Sequence, residues 1–154
     1  MTEWKQIKEE FLKYWTLDKI KEMTLEQYTN LDKKDSFTYW LETKTEKVLG
    51  IGGGSAYKFG IFKRNPESEQ KELKNGQNSD ENREYGWYSK YGQSKEEAFI
   101  KIKKLIIKII EASQKKNFSE IDNIDLGNTF KWKLAYMYAP EGTLLRIAQD
   151  RAFY

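Results

Sequence analysis

Between residues 94 and 114 the apolar side chains Ala98, Phe99, Ile102, Leu105, Ile106, Ile109 and Ile110 recur at three- and four-residue steps. That spacing lines one stripe of an α-helix. Ser94 and Glu97 stand three positions apart at its start, so each side chain can reach the backbone N–H of the other. A long amphipathic helix is therefore predicted over 94–114. Its stripe needs a flat apolar surface to cover, and the aromatic segments on either side are placed to supply one.

The same periodicity predicts a helix over 2–15, with Trp4, Ile7, Phe11, Tyr14 and Trp15 near one side, and shorter ones over 17–23 and 25–31. A Thr24/Gln27 capping pair opens the last of these, and Asp35 or Ser36 can cap a further short helix over 37–43. Alternation at period two predicts strands over 55–63 and 85–92, the second with Tyr85, Trp87, Ser89 and Tyr91 on one face. The clearest alternation lies over 130–138, where rings interleave with Lys131 and Lys133, and it too predicts a strand. Residues 64–84 are polar and too long for a hairpin turn, which reads as a mobile or functional loop. A short helix over 117–124, a turn at 125–128, a hairpin turn at 140–142 leading into 143–148 and a helix start at 150–154 complete the pattern. The expected fold class is α+β in a single domain over 1–154: a curved mixed or antiparallel sheet packed on the 94–114 helix, with N-terminal helices covering an edge.

Composition narrows the chemistry. Cysteine and histidine are both absent, which removes thiolate and imidazole metal ligands and the Ser–His–Asp and Cys–His arrangements. Neither a cofactor nor a metal is expected, and the chain is not expected to be an enzyme. No apolar run approaches the roughly 18 residues of a membrane span. The first residues, Met1-Thr2-Glu3-Trp4-Lys5, lack the apolar block of an export signal, so a cytoplasmic location is expected. The run Gly50-Ile51-Gly52-Gly53-Gly54-Ser55 lacks the Gly-Lys-Ser/Thr ending of a Walker A loop and the G-x-G-x-x-G order of a dinucleotide fold. Such glycines instead let backbone N–H groups approach a ligand closely.

Rings make up 15% of the chain, more than one side of a small sheet must bury. Lys58, Lys63, Arg64, Lys90, Lys131 and Lys133 fall in three strand-like segments that contain no acid, while the acids gather in 65–84 and 119–126. Basic segments interleaved with aromatics are the footprint of a nucleic-acid binder. Extruded or modified bases are read by stacking between rings. Trp40, Tyr57, Phe59, Trp87, Tyr88 and Tyr91 are the candidate base pocket, with Tyr57, Trp87 and Tyr88 foremost because glycine and lysine flank them. Tyr85 and Trp132 belong to the same surplus of rings. Ser55, Lys58, Lys63, Arg64, Lys90, Lys131 and Lys133 are the candidate contacts to the DNA backbone. One alternative is a protein-interaction domain using exposed rings as hot spots. Another is a metal-dependent nuclease built on Asp35, Glu42 and Lys44, whose E-x-K spacing suits carboxylates holding a hard cation.

The segments 25–31 (Leu-Glu-Gln-Tyr-Thr-Asn-Leu), 35–42 (Asp-Ser-Phe-Thr-Tyr-Trp-Leu-Glu) and 52–61 (Gly-Gly-Gly-Ser-Ala-Tyr-Lys-Phe-Gly-Ile) resemble the N-terminal region of certain bacterial McrB-type restriction proteins. So do 85–92 (Tyr-Gly-Trp-Tyr-Ser-Lys-Tyr-Gly) and 124–133 (Ile-Asp-Leu-Gly-Asn-Thr-Phe-Lys-Trp-Lys). The likeness extends from about Trp15 to Ala148 and rests on rings and glycines, not on a catalytic motif. It implies recognition of modified, methylated double-stranded DNA in a bacterial defence system. It further implies an AAA+ GTPase motor in cis and a nuclease as a separate subunit. The chain would then be the recognition domain alone.

Overall fold

The computed structural model describes residues 2–31, 35–52, 55–65 and 73–144. The fold is α+β. Helices α1 (Glu3–Tyr14), α2 (Leu17–Glu22), α3 (Leu25–Tyr28) and α4 (Phe37–Tyr39) lead into a π-type turn, Trp40–Lys44, and a 3-10 turn, Ala56–Phe59. Strands β1 (Ile61–Lys63), β2 (Gln77–Ser79) and β3 (Tyr85–Tyr88) follow, then a second 3-10 turn (Ser89–Tyr91) and helices α5 (Lys95–Gln114), α6 (Phe118–Asp122) and α7 (Asn128–Tyr138).

The helix starts follow their capping chemistry. The Oγ atoms of Thr16, Ser36 and Ser94 accept from the N–H groups of Lys19, Tyr39 and Glu97, and Thr24 with Gln27 closes a full capping box. Each satisfies donors that the first helical turn leaves without partners. The α5 start is the one under most load, because the whole core leans on this helix. Ser94→Ala should lower stability by about 1 kcal/mol, read as a lower denaturation midpoint at unchanged denaturant slope.

Along α5 the predicted stripe is buried, Leu105 alone being half-buried. It covers β1 and β3 on one side and α7 on the other. The sheet is antiparallel in the order β1-β3-β2, with Ile61 opposite Trp87 and Asn78 opposite Trp87 on the far side. The strands are short. Over 55–63 only Ile61–Lys63 is extended: Gly60 takes φ +82° and breaks the alternation, and Ser55 caps the 3-10 turn before it. The reading of 64–84 as a loop is corrected at Gln77–Ser79, which pair with β3 through a tight connection over 80–84, where Arg83 N–H reaches Asp80 O at 3.0 Å; residues 66–72 lie outside the described ones.

The largest correction concerns 130–138, which is helical. Every residue from Phe130 to Tyr138 is buried, so α7 has no polar face and shows no stripe. Its two lysines mimicked the solvent side of a strand. The composition, with Leu, Ala, Met and Lys and with Thr129 as its one β-branched residue, suits a helix. The turn after α7 is present, Thr143 N–H reaching Pro140 O at 3.2 Å; the expected segments 145–148 and 150–154 lie outside the described residues. Among the described residues no helix is long and apolar enough to cross a membrane.

Candidate nucleic-acid interface

Four separated segments converge on one open cavity of about 750 Å³. The 3-10 turn after Ser55 brings Tyr57 and Lys58; the end of β3 and its following turn bring Tyr88, Lys90 and Tyr91; Gly50–Gly52 closes one side, and the start of α7 closes the other. Sequence order alone separates these groups by dozens of residues. What joins them is the sheet: Tyr88 and Gly86 face away from α5, toward the 3-10 turn. A Cβ on Gly86 would stand 3.0 Å from the Tyr57 hydroxyl, so the bare glycine lets that ring lie on the strand. At the other wall a Cβ on Gly127 would stand 2.9 Å from the Lys58 carbonyl oxygen, which brings α7 against the 3-10 turn.

The rings form a connected wall. Tyr57 and Tyr88 have centroids 5.1 Å apart, and Tyr88 and Tyr91 6.4 Å apart, all tilted instead of stacked. Tyr91 donates its hydroxyl to Asp125 O at 2.9 Å, and burial pushes its pKa well above the ordinary phenol value, with the Asp125 charge adding to that shift. Lys90 spans the mouth to the Asp125 carboxylate at 2.9 Å and lies over both Tyr88 and Tyr91. Lys58 is held inside by the Ile51 carbonyl at 2.7 Å and by an ion pair with Glu42. Both ammonium groups are thus fixed beside the aromatic wall, each paired with a carboxylate.

The remaining candidates lie elsewhere. Trp87 is 1% exposed and donates its indole N–H to Gly92 O at 3.0 Å, which makes it core and removes it from any base pocket. Phe59 is buried edge-on against Phe130. Trp40 sits on the π-type turn, stacked on Tyr14 at 4.8 Å with Lys44 over its ring, away from the cavity. Trp132 is fully buried and Tyr85 half-buried between Lys63 and Lys95.

The basic surface is smaller than the sequence implied. Lys63 stays at the surface, paired with Glu84 at 3.3 Å. Arg64 is buried, as are Lys131 and Lys133, and none of the three can meet a DNA backbone in this fold. Lys131 donates to the Asp122 and Ile124 carbonyls at the end of α6, where orphaned acceptors favour a cation. Lys133 donates to the carbonyls of Leu41 and Thr45, clamping the π-type turn, and burial lowers its pKa to about 7 despite Glu42 and Glu46 nearby.

Of the nuclease trio, Asp35 is exposed, Glu42 is engaged with Lys58, and Lys44 covers Trp40. Among the described residues no three carboxylates come together as a cation site. Sequence reading missed Asp125 and the α7 start, whose only local sign was the turn at 125–128. Comparison with protein-family models, with curated proteins and with solved structures finds no match to this chain.

Proposed function

We propose that this chain is a DNA-recognition module whose tyrosine-walled cavity receives a modified base, with Lys58 and Lys90 contacting the flanking phosphates. The observation that carries the reading is the convergence of Tyr57, Tyr88 and Tyr91 with two fixed ammonium groups on one open cavity. Stacking on rings is indifferent to base identity, while a methyl group adds an apolar contact and so favours the modified base. The resemblance to McrB-type restriction proteins supports the same reading. It extends the proposal to a GTPase motor in cis and a nuclease subunit as partners.

The protein-interaction alternative has less to stand on. Among the described residues the exposed large apolar side chains are Tyr14, Leu31 and Ile100, which come from separate elements and do not supply an aromatic hot spot.

Fluorescence anisotropy with duplexes carrying 5-methylcytosine, N6-methyladenine or no modification, each at two salt concentrations, tests the proposal. Lys90→Ala should weaken binding to every duplex and reduce the salt slope by about 1. Tyr88→Ala should weaken binding of every duplex by about 1–3 kcal/mol, the worth of one stacked base, and with it remove the further ~0.8 kcal/mol that a buried methyl gives the modified one. Equal affinity of the unaltered chain for all three duplexes would end the modified-base reading, and no binding at low salt would end DNA binding altogether.

A further inference from the structure

The turn leading into β2 has an Asn-Gly pair at its tip. Lys74 and Gln77 close it from both sides: the Gln77 N–H donates to Lys74 O and the Lys74 N–H to Gln77 Oε1, each at 3.0 Å. Asn75 and Gly76 between them are exposed. Gly76 takes φ +86°, and a Cβ there would meet nothing within 4 Å, so the space beside it is open. Among the described residues neither the Asn75 side chain nor the Gly76 N–H has a hydrogen-bond partner. Asn75 is also the one asparagine of the chain that precedes glycine. A side chain on the following residue would crowd the approach of its backbone nitrogen to the asparagine amide, and glycine puts nothing there.

We infer that Asn75 is a site of spontaneous deamidation, and that its isoaspartyl product loosens one wall of the tyrosine-lined cavity. The Gly76 nitrogen attacks Cγ of Asn75 and closes a five-membered imide. The Cγ–Nδ2 bond breaks, and the proton of the Gly76 nitrogen leaves with Nδ2 as ammonia. Water then adds to one of the two imide carbonyls and opens the ring. Opening on one side gives aspartate; opening on the other gives isoaspartate, whose main chain runs through Cβ and Cγ. Both products carry a carboxylate where the amide was neutral, and water is the only co-reactant.

The link to the cavity is one backbone hydrogen bond. Gly76 O accepts from the Ser89 N–H at 2.8 Å. Ser89 opens the 3-10 turn Ser89–Tyr91, and that turn brings Lys90 and Tyr91 to the cavity. Isoaspartate inserts one more carbon, about 1.5 Å of chain, just before Gly76. Gln77 stays in register opposite Tyr88, so the added length is taken up at the tip and displaces the Gly76 carbonyl. The 3-10 turn then loses its anchor, which aspartate, with an unchanged main chain, leaves in place.

Ageing the whole chain in mildly alkaline buffer, followed by peptide mass spectrometry and backbone amide spectra, tests both halves. Asn75 should convert about tenfold faster than any other asparagine, because glycine follows it alone. Asn75→Gln, whose longer side chain must close a six-membered ring, should stay intact. In the aged chain the amide signals of Ser89, Lys90 and Tyr91 should move, while Asn75→Asp, which carries the charge without the extra carbon, should leave them where they were. Conversion of Asn75 no faster than that of the other asparagines would overturn the inference. So would an isoaspartyl chain whose Ser89–Tyr91 signals stay put, or Asn75→Asp moving them as far as ageing does. These readouts use no DNA, so they stand or fall apart from the methylated-duplex experiment.

Discussion

Raising the pH from about 7 toward 9.5 should make the protein more stable, by on the order of 3 kcal/mol, before the trend reverses above about 10. The cause is Lys133. Burial lowers its folded-state pKa to about 7, with Glu42 and Glu46 opposing that shift and Lys58 adding to it. An unfolded lysine holds its proton to about 10.4. Between those values the unfolded chain binds the extra proton, and stability then rises with pH. Below about 7 both states carry the proton and the buried charge is at its most costly. Lys8, half-buried over the Tyr136 ring, has its pKa lowered by burial and acts in the same sense.

Above about 10 the buried phenols take over. Tyr28, Tyr91 and Tyr138 all have raised pKa values through burial, so the unfolded chain loses protons that the fold retains, and stability falls. Guanidinium unfolding at pH steps from 6 to 11 should trace this dome. Lys133→Met is the decisive control. It removes the buried charge but leaves the Leu41 carbonyl with Thr45 as its remaining partner. The variant should therefore fall below the parent at pH 9.5 and close much of that gap at pH 6. A Lys133→Met profile that rises between 7 and 9.5 as steeply as the parent's would place the titrating group elsewhere.

The second large effect is expected at Gly60. Its φ of +82° is unfavourable for any side chain, and a Cβ there would stand 2.6 Å from Ile102 Cδ1 and 2.9 Å from Ile102 Cγ1. Strain of about 1–3 kcal/mol and overpacking of about 1–3 kcal/mol should combine, so Gly60→Ala should cost about 2–6 kcal/mol. That is a large part of the roughly 5–15 kcal/mol that holds a domain together. Gly76 provides the comparison, since its φ is +86° and a Cβ there would meet nothing within 4 Å. Gly76→Ala should carry the strain alone. Ile102→Val removes the colliding methyl, so the Gly60→Ala/Ile102→Val pair should be less damaging than the sum of the singles. Simple additivity would mean that the collision is relieved in some other way. Gly60 also joins β1 to the turn that carries Tyr57 and Lys58, so the same variant should shift the amide signals of the cavity wall.

What was legible in the sequence was local. Ser94, Thr24 and Ser36 announce their helices because a cap and its donor lie three residues apart, and the α5 stripe is visible because one of its faces meets water. α7 was not legible for the opposite reason: a helix buried on every side carries no period to read. Its misreading as a strand cost the site twice. It offered Lys131 and Lys133 as surface bases, although backbone carbonyls hold both inside, and it hid the wall that α7 gives the cavity. Tyr57 and Tyr88, singled out because glycine and lysine flank them, do line the open cavity together with Tyr91, Lys58 and Lys90, although the Tyr57 and Tyr91 rings are largely buried behind its surface. Trp87 satisfied the same rule yet faces the core, since alternate residues of β3 point to opposite sides and Gly92 supplies an acceptor for its indole. Asp125 reaches Lys90 from 35 residues away, and no local pattern encodes such a meeting.

The two lysines enclosed with α7 give the molecule an internal reporter. An amine-acylating reagent reacts only with ammonium groups it can touch, so Lys101, Lys104 and Lys108 on the open side of α5 should be tagged within the first minutes. Lys131 and Lys133 should stay untagged until the domain opens as a whole. Mass spectrometry of those two positions would then time global opening directly, in a chain that has no cysteine to label.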